Sequence, residues 1–142
     1  MERNLTHRTV AVDLDGVIID SMNDGADWKD RYDPKDISYF VTMKGCVRVL
    51  QKLQKYGFII IVYTSRTNTG WVHNMGFGSP EEIKKALDKQ LKDRGIPFGF
   101  IALQKPIADI YIDDRGWHFR DWAQMEKDLH MLGYFENENT SD

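Results

Sequence analysis

The sequence predicts an α/β fold, a Rossmann-like three-layer sandwich with a central parallel sheet. Three observations support it: apolar, β-branched runs typical of buried strands, amphipathic segments between them, and polar residues directly after the runs. Strands that alternate with helices are usually joined by right-handed crossovers into a parallel sheet. Neither a linker nor an internal repeat interrupts this pattern, so residues 1–142 are expected to form one domain, with a polar tail from about residue 136.

The first half of the chain predicts two strands with a helix between them. Residues 9–13 form a short β-branched run that ends in an acid. From about residue 43 to residue 56, apolar residues recur at helical spacing with Lys and Arg between them, and Gly57 suits the position just after a helix. Residues 58–63, Phe-Ile-Ile-Ile-Val-Tyr, give the strongest strand signal of the chain.

The second half predicts two helices and two further strands. Ser79 is a helix N-cap residue and Pro80 suits the first helical position, so a helix is expected from there to about residue 94, before Gly95. Residues 98–103 and 108–112 are predicted strands, and a last helix is expected over about residues 117–131.

Composition and charge exclude several classes of protein. The longest apolar run, residues 58–63, is far shorter than the roughly 20 residues of a membrane span. No apolar stretch typical of a signal peptide follows Met1, and a lone cysteine, Cys46, forms no internal disulfide. The formal net charge of −3 disfavours a protein that coats a nucleic-acid duplex. A cytoplasmic domain without a membrane partner is therefore expected.

Polar residues follow each predicted strand. They are Asp13, Asp15 and Gly16 after the first strand, Thr64, Ser65 and Arg66 after the second, Lys105 after the third, and Asp113, Asp114 and Arg115 after the fourth. In parallel sheets, ligands bind at the carboxyl ends of the strands, where the strand order reverses. We therefore expect four carboxylates, a hydroxyl and an ammonium group to meet at one edge.

Such a group of residues suits phosphoryl transfer. Carboxylates this close repel each other unless a cation lies between them, and an all-oxygen donor set points to Mg²⁺. Strand alternation puts Asp13 and Asp15 on one side, with Leu14 turned away, so one acid can be nucleophile and metal ligand while the other transfers protons. Lys105 and Thr64 can neutralise and hydrogen-bond a phosphoryl group.

The same residues resemble the four motifs of the haloacid dehalogenase (HAD) superfamily. VAVDLDGV (10–17) resembles the first motif, IIVYT (60–64) the second, Lys105 the third and YIDD (111–114) the fourth, in the family's order over about residues 9–115. The resemblance implies a HAD-like core in which Asp13 attacks phosphorus and Asp15 is the general acid and base.

The resemblance also implies a ligand set. Mg²⁺ would be held by Asp13, the main-chain carbonyl of Asp15 and Asp113, with Asp114 bonding directly or through water. Thr64 and Lys105 would hold the phosphoryl oxygens. An aspartate at position 15 is associated with the phosphatases of the family, so hydrolysis of a phosphate ester through an aspartyl-phosphate is expected.

Several residues keep two interpretations. Ser65 competes with Thr64 for its role, and Arg66 either contacts the leaving group of the substrate or lies in solvent. Catalysis by Cys46 is rejected, because a cysteine-phosphatase signature requires an arginine where Lys52 stands.

The two candidate insertion points, residues 20–42 and 68–79, are too short for a cap domain of about 50 residues, so none is expected. Capless relatives act on macromolecular phosphates or borrow a lid from a neighbouring subunit, which leaves a homo-oligomer open. The acidic balance favours a phosphorylated small molecule, a sugar phosphate or nucleotide, and nucleic acid is not favoured.

Other functions remain as alternatives. Within the enzyme class they are a polynucleotide 3′-phosphatase and a phosphoprotein phosphatase. From another class, a signalling receiver domain uses similar residues, but in a different chain order: there, the acidic pair does not follow the lysine. A catalytically dead phosphate-binding module is disfavoured, because Asp13, Asp15, Lys105 and the acids of the fourth motif are all present.

Overall fold

A computed structural model of the protein describes residues 8–20, 33–67, 76, 78–113 and 120–135. The strands are β1 (Thr9–Asp13), β2 (Ile59–Tyr63), β3 (Phe100–Ala102) and β4 (Ile110–Ile112), and the helices are α1 (Cys46–Lys55), α2 (Pro80–Asp93) and α3 (Trp122–Met131). A 3₁₀ turn, Ser65–Thr67, follows β2. None of the helices in the described ranges has the length and apolar character needed to cross a lipid bilayer. The predicted α/β, Rossmann-like sandwich is confirmed.

The four strands form one parallel sheet in the order β3-β2-β1-β4. Asp13 pairs with Tyr63 across β1 and β2, and Val12 pairs with Ile112 across β1 and β4. The chain moves outward from β1 to β3 and then returns to the other side of β1, so the strand order reverses between β1 and β4. Asp13 and Asp113 therefore flank the point where parallel α/β sheets bind ligands.

One face of the sheet carries the hydrophobic core. Alternate strand residues, Val10 and Val12 in β1 and Ile60 and Val62 in β2, are buried on this face. Residues of all three helices join them in a single cluster: Val49, Leu50 and Leu53 of α1, Ile83, Leu87 and Leu91 of α2, and Trp122, Met125 and Leu129 of α3. Burial of these apolar side chains is the main force that holds the helices on the sheet.

The connection from β3 to β4, residues 103–109, lies on the opposite face. Tyr111 points to that face, because its strand neighbours Ile110 and Ile112 point into the core. Its hydroxyl donates to the Pro106 carbonyl (2.6 Å) and accepts from the Ala108 amide (3.0 Å). The segment therefore crosses the sheet face as it returns to β4.

Helix ends follow the predicted capping residues. The Ser79 side chain accepts a hydrogen bond from the Glu82 amide, and Gly57 and Gly95 adopt positive φ angles of 89° and 73° after α1 and α2. The predicted start of α3 near residue 117 was too early. Asp121 has an extended backbone and caps the helix through the Gln124 amide (2.8 Å), so α3 begins at Trp122.

Strands β3 and β4 are shorter than the sequence predicts. Each lies at an edge of the described sheet, β3 paired with the last residues of β2 and β4 with the middle of β1. Phe98, predicted to lie in β3, packs against the core from outside the strand. In the sequence, apolar residues that flank an edge strand look like residues of the strand, so the predicted strands are too long.

The described part of the first insertion, residues 33–42, is built into the domain. Ile37 and Phe40 are buried in the core. Gln90 of α2 accepts from the Ile37 amide (2.6 Å), and Arg94 donates to the Ile37 carbonyl. These hydrogen bonds hold the segment against α2 and its C-cap residue. Residues 21–32 and most of 68–79 lie outside the described residues.

Candidate active site

The turn after β1 presents Asp15 at the carboxyl edge of the sheet. Leu14 is fully buried, as strand alternation predicts. Gly16 has a φ of 83°, which a residue with a Cβ rarely adopts, and its amide donates to the Ile19 carbonyl (2.9 Å). This turn leaves the Asp15 side chain beside the residues that follow β2.

Asp15 is held by Arg66. The Arg66 Nε lies 3.1 Å from Oδ1 and 3.0 Å from Oδ2 of Asp15, and Nη2 lies 2.9 Å from Oδ1. Only 2% of the Arg66 side chain is exposed, against 25% of the Asp15 side chain. Of the two roles expected for Arg66, the solvent-exposed one is wrong, because the guanidinium group is buried against Asp15.

The first insertion completes the surroundings of Arg66. Its guanidinium carbon lies 5.6 Å from the centroid of the Phe40 ring, and its Nη1 lies 3.4 Å from the Asp33 carbonyl oxygen. Arginine stacks on aromatic rings and its fork matches a carboxylate, so this site suits arginine better than lysine. Arg66 therefore contacts both Asp15 and segment 33–40 of the first insertion.

Thr64 is the hydroxyl residue that contacts Asp15. Its Oγ1 lies 3.2 Å from Asp15 Oδ2 and accepts from the Arg66 amide at 3.1 Å, and the residue is 6% exposed. Ser65 is exposed at the start of the 3₁₀ turn. Thr67 ties that turn to the end of β3, with Oγ1 2.9 Å from the Leu103 carbonyl oxygen.

A second group surrounds Asp113, just after β4. The Tyr63 hydroxyl donates to Asp113 Oδ2 at 2.7 Å, and Lys105 Nζ lies 3.4 Å from the same oxygen. The Asp113 side chain is 7% exposed, whereas that of Lys105 is 60% exposed. The two donors bring the ends of β2, β3 and β4 together at the edge where β1 ends in Asp13.

A cavity of about 400 Å³ opens between the ends of β2 and β3. It is lined by Thr64 and Ser65 on one side and by Gln104 and Lys105 on the other. Hydroxyl, amide and ammonium groups are donors that suit an anion such as a phosphoryl group. The predicted substrate-binding residues Thr64, Ser65 and Lys105 thus share one cavity, whereas Arg66 is not among its lining residues.

Three of the four predicted metal ligands, Asp13, Asp15 and Asp113, lie in the described ranges. Asp13 and Asp113 end or follow adjacent strands, and Asp114 and Arg115 lie outside the described residues. Within the described ranges, no group of three or more His, Cys, Asp or Glu side chains is arranged to hold a metal ion. Of the ligands implied by the HAD resemblance, those ranges contain the side chains of Asp13 and Asp113 and the main-chain carbonyl of Asp15. Two side chains are fewer than the three that such a group requires.

Cys46 stands apart from this edge. It is fully buried at the start of α1, and burial raises the pKa of its thiol to about 12. A thiol in that state is a poor nucleophile at neutral pH, because the thiolate is the reactive form. This agrees with the rejection of cysteine catalysis.

The contact of Tyr63 with Asp113 is not expected from the sequence. Tyr63 lies in the predicted strand and in the IIVYT segment, and strand alternation puts it on the same face as its register partner Asp13. A tyrosine that immediately precedes Thr64 at a strand end was therefore the available signal. Its contact with Asp113 spans β1, which only the assembled sheet reveals.

Comparisons with known proteins bear on the fold. The chain matches no protein-family model and no curated protein. Among solved structures it is similar to a structural-genomics target from Vibrio cholerae, with a TM-score of 0.52 and 19% sequence identity over 92% of this chain and 99% of that one. At this identity the similarity establishes a shared α/β fold.

Proposed function

We propose that this protein is a Mg²⁺-dependent phosphatase that hydrolyses a phosphate monoester through an aspartyl-phosphate on Asp13. One observation carries the proposal. Asp13, Asp15, Thr64, Lys105 and Asp113 come from four separate strand ends and lie at one edge of the sheet, beside the reversal of strand order. Their order along the chain is that of the HAD motifs.

The residues support a two-step reaction. In the first step an Asp13 carboxylate oxygen attacks phosphorus, the P–O bond to the leaving group breaks, and protonated Asp15 gives its proton to the leaving oxygen. In the second step Asp15 takes a proton from water as the water oxygen attacks phosphorus. The P–O bond to Asp13 then breaks, which releases inorganic phosphate and restores the Asp13 carboxylate.

The proton-transfer role of Asp15 is supported by its fixed orientation. Arg66 contacts both carboxylate oxygens of Asp15 and Thr64 contacts Oδ2, so the group cannot rotate freely beside the substrate. General acid–base catalysis depends on such alignment, because the proton moves over a hydrogen-bond distance. We infer that Arg66 acts on the reaction by positioning Asp15.

Mg²⁺ fits the oxygen donors at the ends of β1 and β4. Asp13, the main-chain carbonyl of Asp15 and Asp113 would hold it, with Asp114 bonding directly or through water. Asp113 is almost fully buried, and a buried carboxylate is stable only with positive or hydrogen-bonding partners. When bound, Mg²⁺ supplies positive charge that orients the phosphoryl group and neutralises its oxygens.

Lys105 and Thr64 are proposed to bind the phosphoryl oxygens. Both line the cavity between β2 and β3, and Lys105 carries its charge into the solvent-exposed part of the site. An ammonium group and a hydroxyl aimed at the developing charge stabilise the transition state of phosphoryl transfer. Ser65 lines the same cavity and supplies a second hydroxyl.

The proposed substrate is a small phosphorylated metabolite in the cytoplasm, such as a sugar phosphate or a nucleotide. A cavity of about 400 Å³ lies within the range of about 300–1,000 Å³ for small-molecule sites. The net charge of −3 disfavours a polynucleotide as substrate, because neutralising its phosphates favours a basic protein. A polynucleotide 3′-phosphatase and a phosphoprotein phosphatase are the alternatives within the same chemistry.

Phosphate release tests the proposal. The wild-type protein should hydrolyse para-nitrophenyl phosphate with Mg²⁺ and lose activity with EDTA, and Asp13→Asn should abolish turnover. Gln54→Ala, at an exposed position in the last turn of α1, is the control and should keep activity. A panel of sugar phosphates, nucleotides, phosphopeptides and 3′-phosphorylated oligonucleotides then ranks the substrates. Absence of turnover on the whole panel would contradict the proposal.

A further inference from the structure

We propose that Tyr63 and Tyr111 are positioning residues of this site, which together hold Lys105 and Asp113 in the geometry that phosphoryl transfer requires. The inference rests on the proposed phosphatase function and extends it to two residues outside the expected catalytic set. Neither tyrosine transfers a proton or contacts the reacting atoms in this proposal.

Both tyrosines face the Lys105 ammonium group. Lys105 Nζ lies 5.0 Å from the centroid of the Tyr111 ring and 5.7 Å from that of Tyr63. Cations are attracted to aromatic faces within about 6 Å. An exposed lysine side chain otherwise samples many rotamers, and an exposed ion pair alone holds it weakly. The two rings therefore restrict Lys105 at the mouth of the cavity.

Tyr63 also holds Asp113. Its hydroxyl is 2.7 Å from Asp113 Oδ2, the oxygen that Lys105 Nζ approaches only to 3.4 Å. The tyrosine contact is thus the shorter of the two. If Lys105 turns toward a phosphoryl oxygen, the Tyr63 hydroxyl keeps the buried Asp113 carboxylate hydrogen-bonded. Because of Tyr63, Lys105 can bind the substrate while Asp113, the predicted metal ligand, keeps a hydrogen-bond donor.

Tyr111 acts on the backbone that carries Lys105. Its hydroxyl donates to the carbonyl of Pro106, the next residue after Lys105, at 2.6 Å and accepts from the Ala108 amide at 3.0 Å. These bonds tie the segment after Lys105 to β4. The same ring also faces the Lys105 ammonium group. Tyr111 therefore restricts both the Lys105 side chain and the backbone that follows it.

Phenylalanine substitutions separate hydroxyl from ring. Tyr63→Phe keeps the ring near Lys105 and removes the donor to Asp113, so Mg²⁺ affinity should fall about 10-fold, as for other residues that orient metal ligands. Tyr111→Phe releases the segment at Pro106, so KM for para-nitrophenyl phosphate should rise several-fold with Mg²⁺ affinity unchanged. Tyr134→Phe is the matched control, because its ring packs on Phe58 at the opposite end of β2.

Mg²⁺ titration calorimetry on the full chain is the deciding measurement, with KM and kcat measured in parallel. The double variant Tyr63→Phe/Asp113→Asn should bind Mg²⁺ as weakly as Asp113→Asn alone, because Tyr63 acts only through Asp113. Additive losses, or wild-type Mg²⁺ affinity in Tyr63→Phe, would overturn the positioning role while leaving the phosphatase intact. A wild-type protein that neither binds Mg²⁺ nor releases phosphate would refute the phosphatase, and the positioning role with it.

Discussion

Arg66 is almost completely buried, and its guanidinium group contacts both carboxylate oxygens of Asp15 at 2.9–3.1 Å. The arginine comes from the turn after β2 and the aspartate from the turn after β1, so the pair joins two neighbouring strand ends. Phe40 and the Asp33 carbonyl, from the first insertion, lie against the same guanidinium group. The orientation of Asp15, the proposed proton-transfer residue, therefore depends on Arg66 and on the first insertion that packs against it.

Arg66→Lys should lower kcat about 10- to 100-fold with little change in KM. Lysine keeps the charge but loses the planar fork, so Asp15 is no longer held through both oxygens. Mg²⁺ affinity should remain that of the wild type, because the expected ligand at position 15 is the main-chain carbonyl, whereas Arg66 holds the Asp15 side chain. Steady-state kinetics and Mg²⁺ titration check both expectations, and an unchanged kcat would show that Asp15 needs no arginine.

Asp15→Asn should slow turnover by roughly 10²–10⁴-fold on an alkyl phosphate, since it removes general acid and base together. The loss in the first step should be smaller for para-nitrophenyl phosphate, whose leaving group departs without protonation. Rapid-quench measurement of nitrophenolate release and of phosphoenzyme tests this difference. Equal first-step losses on both substrates would exclude Asp15 as the acid.

Thr64→Val should destabilise the protein by about 1–3 kcal/mol, because the buried Arg66 amide loses its acceptor. Thr64→Ser retains the hydroxyl and should cost less. Ser65→Ala, at the adjacent exposed residue, is the matched control and should leave the unfolding free energy nearly unchanged. Urea denaturation of the three variants gives the comparison, and equal losses at 64 and 65 would contradict the structure.

Acid stability should depend on Glu126, on the side of α3 that faces α1. Arg48 and Lys52 of α1 hydrogen-bond this carboxylate and lower its pKa to about 2. Since its folded pKa is depressed below the ordinary 4.5, the stabilisation is complete above about pH 5 and is lost as pH falls toward 2.

Glu126→Gln should therefore reduce the pH dependence of stability over that range by about 1 kcal/mol, a figure kept small because Arg48 is exposed to water. Urea unfolding at pH 3 to 7 measures the slope. Phosphate release at pH 7 should be unaffected, since Arg48 and Lys52, which hydrogen-bond Glu126, are not among the proposed site residues. A slope equal to that of the wild type would show that the ion pairs do not persist in solution.

The strands, most helix boundaries and the candidate site residues could be predicted because their signals are local. A Ser-Pro pair such as Ser79 and Pro80 favours a helix start, and a β-branched run such as residues 58–63 favours a buried strand. Asp13, Thr64 and Lys105 are predicted to lie together because the carboxyl ends of parallel strands share an edge. The start of α3 was expected near residue 117, whereas the helix begins at Trp122 because Asp121 has an extended backbone and caps it through the Gln124 amide.

By itself, the sequence determined the order of strands and helices and the residue types that gather at one sheet edge. The tertiary structure decided which of these residues touch. The burial of Arg66 depends on Phe40, 26 positions away, and the contact between Tyr63 and Asp113 spans 50 positions. Periodicity records only which face of a strand or helix a residue occupies. Contacts between side chains of separate elements depend on how those elements pack, which no local pattern contains.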